Sequence, residues 1–139
     1  MTLGAAVSSG GGQPGDGTGA ATFRRDLQDR VIIRTSFAEY PASGSTPASR
    51  HDDVTIVYGT PSGVRADYYD SEGHVIHYAV QMPAAGVAVF LSDLVSGEPR
   101  YRLSYRLMPT GLVEGAFEIA GPGRTAFTPY LTWESKKAM

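Results

Sequence analysis

From Thr22 onward, apolar and polar residues alternate in short runs, and turn signals recur about every ten residues. That rhythm marks an antiparallel all-β domain. Nowhere does an i, i+3, i+4, i+7 apolar pattern persist for three turns, so helices are not expected. The one exception is a single helical turn near Leu91 to Val95. The spacing predicts strands at 22–27, 30–38, 53–59, 64–70, 74–82, 86–92, 100–107, 112–120 and 128–136. Most connections are short: Pro61-Ser62-Gly63, Ser71-Glu72-Gly73, Ala84-Ala85-Gly86 and Pro109-Thr110-Gly111. The segment from Pro41 to Asp52 is longer and reads as a lid or a solvated excursion. So many sequential strands in so short a chain are expected to curl and close, because closure removes exposed edges. The fold class expected is an all-β, up-and-down meander forming a barrel of eight to ten strands.

The chain divides into a glycine-rich lead, residues 1–20, and a single barrel domain, residues 21–139. The lead reads as flexible, or as a weak first strand over Thr2 to Val7. At 139 residues the chain is one domain's length. With no cysteine, disulfides, thiolate nucleophiles and thiolate-held metals are excluded. The net charge of -2 shows no electrostatic footprint for nucleic acid. No apolar run reaches the roughly 20 residues of a membrane-spanning helix. No Lys or Arg precedes Arg24, so the positive region that opens a signal peptide is missing. A cytoplasmic protein is the expectation.

Turn chemistry sets the facing of each strand. With Gly73 left-handed in a three-residue loop, Asp70 faces His74, Tyr68 faces Ile76, Ala66 faces Tyr78 and Val64 faces Val80. The inner face of this hairpin is then Val64, Ala66, Tyr68, Ile76, Tyr78, Val80 and Met82. Extending the same logic through Pro61-Ser62-Gly63 places Tyr58, Ile56 and Val54 on the inner face. In the strand 100–107, Tyr101, Leu103, Tyr105 and Leu107 face inward. Arg100, Arg102 and Arg106 face outward, with Arg102 and Arg106 near Glu118 and Glu114. Val113, Phe117 and Ile119 continue the inner face. Trp133 and Thr35 are expected there too.

The interior is therefore rich in phenols: Tyr58, Tyr68, Tyr78, Tyr101 and Tyr105, with Trp133. Buried hydroxyls need partners. A solid small barrel favours Val, Ile and Leu, so these rings point to a cavity that holds a small hydrophobic or amphipathic ligand. The alternative is that the tyrosines bond to one another and to backbone. The titratable pair expected at the mouth is Asp70 with His74. The reading is that His74 acts as a general base or polar anchor and Asp70 orients it. The competing reading is that Asp70 merely opens its turn. His77 is expected opposite Asp67 on the outer face, and Glu72 in solvent. Within His51-Asp52-Asp53, neighbours in an extended segment point to opposite faces, so at most two converge. No metal or cofactor is implied. No GxSxG elbow, P-loop or HExxH is present.

Three stretches, VRADYYDSEGHVIHYAV (64–80), YRLSYRLMPTGLVEGAFEIAGPG (101–123) and YLTWESKK (130–137), resemble the small calycin-type barrels. These include lipocalin-like and fatty-acid-binding-protein-like bacterial domains. The likeness spans about residues 22–137 and rests on strand rhythm and the late FEIA…PG…TW pattern. It implies an up-and-down barrel with a central cavity for an apolar or amphipathic ligand. The lipocalin Gly-x-Trp opening has no counterpart, because Trp133 is the single tryptophan. The last histidine is His77, so haem ligation is not carried over. Some such barrels are cofactor-free cyclases or isomerases of natural-product type. An enzyme of that kind in this pocket would use the His74 read above as its general base, with a tyrosine hydrogen-bonding a developing oxyanion. A homodimer through the outer residues Val75, Ala79 and Tyr69 is a further expectation.

Overall fold

The structure, a computed structural model, describes residues 2–9 and 17–137. The strands are β1 (Thr2–Ser9), β2 (Gly17–Asp26), β3 (Val31–Tyr40), β4 (Ser49–Thr60), β5 (Gly63–Asp70), β6 (Val75–Ala84), β7 (Val87–Ser92), β8 (Arg100–Leu107), β9 (Val113–Ala120) and β10 (Thr128–Lys137). From β2 to β10 each strand pairs antiparallel with the next, and β1 pairs with both β10 and β2 to close the barrel. Among the described residues there is no helix, hence none long and apolar enough to cross a membrane. The helical turn expected near Leu91 to Val95 does not form. β7 runs on to Ser92, and the Asp93 amide donates to the His77 carbonyl at 2.9 Å instead. Of the expected glycine-rich lead, Thr2–Ser9 forms β1 and residues 17–20 open β2, while 10–16 lie outside the described residues.

Up-and-down order sorts the connections into two ends. The longer loops 41–48, 93–99 and 121–127 share one end with the tight turn 71–73. The other end carries the turns 27–30, 61–62 and 85–86 and the loop 108–112. Near that second end Ala66, Tyr78 and Phe90 are buried, with Val57, Val80, Ala88 and Leu103 packed on them. Edge-on ring contacts link Tyr78 to Phe90 (5.9 Å) and Phe90 to Tyr105 (5.8 Å), an arrangement that aromatic quadrupoles favour.

The β5–β6 hairpin has the expected register: Val64 pairs with Val80, Ala66 with Tyr78 and Tyr68 with Ile76, around a left-handed Gly73. The β4–β5 hairpin does not. Thr60 pairs with Gly63, so the turn is the two residues Pro61-Ser62, one fewer than expected. A one-residue slip turns every side chain to the other face. Tyr68 therefore faces Thr55 and Ala66 faces Val57, while Val54, Ile56 and Tyr58 lie outside. The correction passes on to β3, where Arg34 pairs with Thr55 and Ser36 with Asp53, leaving Thr35 outside. Met82 also departs from the inner set. It lies at a register shift between Gln81 and Ala84 and is 73% exposed.

Candidate functional site

The barrel encloses a cavity of about 420 Å³. Its two walls differ in chemistry. β3 to β5 and the turn before β6 contribute Arg34, Ser36, His51, Asp53, Thr55, Tyr68, Asp70 and His74. β8 to β10 contribute Tyr101, Leu103, Tyr105, Phe117, Ile119, Leu131 and Trp133. The aromatic wall is braced by its own rings: Tyr101 stacks on Phe117 at 5.6 Å, and Tyr105 meets Trp133 edge-on at 5.9 Å. Gly115 lies beneath the Trp133 indole, and a Cβ there would collide with the ring. The cavity reaches solvent at the long-loop end, where the side chains of His74 and Glu72 are exposed.

Deep on the polar wall, Arg34 Nη1 donates to Asp53 Oδ1 at 2.7 Å and to Ser36 Oγ at 2.9 Å. Ser36 in turn donates to Asp53 Oδ2 at 2.7 Å. The two charged side chains are only 16% and 11% exposed. Burial works against the Arg34 charge, but Tyr105, Asp53 and Tyr68 outweigh it and raise the guanidinium's pKa. Arg34 Nε and Tyr105 Oη are buried and meet no described residue in good hydrogen-bond geometry, but Arg34 acts on the Tyr105 phenol as a hydrogen-bond donor as well as by its charge. The Arg34 guanidinium carbon lies 6.0 Å from the Tyr105 ring centroid, so the pair joins the two walls. Burial pushes the Tyr105 phenol's pKa up, with Arg34 opposing.

Nearer the mouth runs a chain of hydrogen bonds. Glu72 Oε1 lies 3.1 Å from His51 Nδ1, and His51 Nε2 lies 3.0 Å from Tyr68 Oη. Tyr68 Oη donates to Asp70 Oδ2 at 3.0 Å, and His74 Nδ1 lies 2.9 Å from the same oxygen. Tyr68 has one proton for two neighbours. While it donates to Asp70, His51 Nε2 must donate to it. Burial pushes the Tyr68 phenol far above its ordinary pKa, so it works as a hydroxyl and not as a phenolate.

Asp70 makes contacts of two kinds, with its own turn and with the His74 ring. Its Oδ1 accepts the backbone amides of Glu72 and His74, each at 2.9 Å, which holds the turn. Its carboxylate also fixes the His74 ring. Burial works to raise the Asp70 carboxyl's pKa, but the bonds from His74, Tyr68 and Glu72 outweigh it and hold the carboxyl below its ordinary value. His74 sits at the rim, 57% exposed in its side chain, against 27% for His51.

Of the residues expected to line a pocket, Tyr68, Tyr78, Tyr101, Tyr105 and Trp133 do so. Tyr58 does not. It stands on the outer face, where Asp67 and Arg65 act on its phenol. His77 lies outside with Asp67 at 2.7 Å, and Arg102 pairs with Glu118 at 3.1 Å, both as expected. Glu72 is not simply solvated, because it holds His51. The residues missed were Arg34, Ser36 and Thr55; of His51-Asp52-Asp53, where at most two were expected to converge, His51 and Asp53 share the cavity face. A signal was available in β3, where Arg34 and Ser36 share the face opposite Ile33 and Phe37. A scan against protein-family models finds no match, and a search of curated proteins finds none.

Proposed function

We propose that the barrel binds one small amphipathic molecule in its cavity. The observation that carries this is the division of the roughly 420 Å³ space into an aromatic wall and a hydrogen-bonding wall. A volume in this range suits a small organic ligand. The apolar wall removes the ligand's hydrocarbon from water, at about 25 cal/mol per Å² buried. The polar wall orients it. The calycin-type resemblance supports the same reading through shape.

The test uses Trp133, the single tryptophan, which stands on the cavity wall. An uncharged fluorescent apolar probe, phenylnaphthylamine, should quench Trp133 in a saturable titration with one site per chain. No quenching at saturating probe would refute the proposal.

A second reading is favoured by the Glu72–His51–Tyr68–Asp70–His74 chain, which is more acid–base chemistry than binding needs. On this reading the pocket performs a cofactor-free isomerisation or cyclisation. His74 at the rim, or His51 within the wall, would take a proton, and Tyr68 would relay it. Turnover lost roughly 100-fold or more in His51→Gln or His74→Gln, with probe affinity kept, would select it. Equal turnover in both variants and the wild type would exclude it.

A further inference from the structure

We propose that the Tyr78 hydroxyl, on the floor of the cavity, donates the hydrogen bond that seats the ligand, so that the ligand enters with a neutral carbonyl oxygen leading, as a ketone, ester, lactone or amide. This rests on the reading that the cavity holds a ligand, and it names the group that the ligand carries at its inner end.

Tyr78 is the largest side chain buried almost completely, at 1% exposure, and it lines the cavity. It belongs to the core that closes the barrel below the cavity, with Ala66 and Phe90. The other two inner phenols nearby are both engaged. Tyr68 has His51 and Asp70 at 3.0 Å, and Tyr105 takes a hydrogen bond from Arg34. The Tyr78 hydroxyl bonds to none of the described residues, and what acts on it is burial and charge alone. It is also not one of the sealed, unmatched polar atoms, which are Arg34 Nε and Tyr105 Oη. Its hydroxyl therefore opens on the cavity. Buried polar groups are nearly always paired, and an orphaned donor is rarer than an orphaned acceptor. A phenylalanine would keep the edge-on contact with Phe90 at 5.9 Å, so packing does not call for the hydroxyl.

The surroundings narrow the partner. Burial raises the Tyr78 phenol's pKa far above its ordinary value, and Tyr105, Tyr101 and Asp53 push the same way, so it stays a neutral O–H donor. Those neighbours belong to both walls, which puts the hydroxyl between the aromatic wall and the polar one. An entering carboxylate or phosphate would meet Asp53, whose own cation Arg34 is already paired with it at 2.7 Å, and its desolvation cost would stand. A neutral carbonyl oxygen accepts the phenol's proton without that cost. The rest of the ligand then lies along the aromatic wall towards the mouth.

The test compares three probes of similar shape by their quenching of Trp133: acetylnaphthalene (a neutral ketone), isopropylnaphthalene (no oxygen) and naphthoate (an anion). Tyr78→Phe should bind acetylnaphthalene roughly three- to tenfold more weakly than the wild type does, and isopropylnaphthalene equally well. Naphthoate should bind the wild type more weakly than acetylnaphthalene does. The infrared carbonyl band of bound acetylnaphthalene should lie lower in the wild type than in Tyr78→Phe. In urea without probe, Tyr78→Phe should unfold at the wild-type midpoint or above.

Equal affinity of Tyr78→Phe and wild type for acetylnaphthalene, with the carbonyl band in the same place, overturns the assignment. Saturable quenching by phenylnaphthylamine in the same protein would then keep the binding reading intact. Tightest binding of naphthoate also overturns it, in favour of an anion site. A urea midpoint for Tyr78→Phe as low as that of Tyr68→Phe, or a failure to fold, would show that the hydroxyl is a structural one. If neither acetylnaphthalene nor phenylnaphthylamine binds the wild type, the cavity reading and this assignment fall together.

Discussion

Removing Asp53 should be among the most damaging single changes to this barrel. The carboxylate receives Arg34 at 2.7 Å and Ser36 at 2.7 Å, and both charged side chains are largely buried. In Asp53→Ala the guanidinium loses its carboxylate and is left with neutral partners such as Ser36 at 2.9 Å. An uncompensated buried charge costs about 3–5 kcal/mol. Total stability for a domain of this kind is about 5–15 kcal/mol, so the loss is a large share. With a urea m value of about 2 kcal/mol per M, the midpoint should fall by roughly 2 M. The double variant Arg34→Met/Asp53→Leu should recover most of that loss, because it removes both charges and keeps the volume. Urea unfolding followed by Trp133 fluorescence measures both. A loss under about 1 kcal/mol in Asp53→Ala, or a double variant as unstable as the single, would refute the claim that Arg34 is held by its buried partner.

Other outcomes follow from the same geometry. Tyr68→Phe strips a bond from His51 Nε2 and another from Asp70 Oδ2, so urea unfolding should show a loss of about 1–3 kcal/mol. Asp70 has a folded-state pKa below its ordinary value of 3.8, so its contribution to stability is present above that pH and is lost as pH falls through the folded value. Asp70→Asn should therefore flatten the acid limb of a stability–pH curve, and an unchanged limb would count against the bonding described. Gly115→Ala should push the Trp133 ring from its seat, costing about 1–3 kcal/mol and shifting its emission.

Much of the barrel was legible in the sequence, for a physical reason. Strand rhythm and turn residues are local, and in β5–β6 the left-handed Gly73 fixed a register that the pairing of Tyr68 with Ile76 reproduces. The candidate site was harder because its chemistry inverts the usual pattern. Along β4 the more apolar set, Val54, Ile56 and Tyr58, lies outside, and the inner face carries His51, Asp53 and Thr55. A rule that sends apolar residues inward selects the wrong face of such a strand. The turn gave no correction, since Pro61-Ser62-Gly63 suits a two- or a three-residue connection, and only the pairing of Thr60 with Gly63 decides between them. Arg34 was missed by the same slip. Its partner Asp53 is 19 positions away, and no local pattern joins them.

The central claim is that the inside of the barrel, not its outer face, receives a small molecule. The most direct measurement is amide and side-chain NMR during titration with phenylnaphthylamine. Alternation along the strands separates the two surfaces residue by residue. The expected result is shifts at His51, Tyr68, Tyr101 and the Trp133 indole N–H, with Tyr58, His77 and Arg102 unmoved. Shifts at the outer residues alone, or none at saturating probe, would contradict the account.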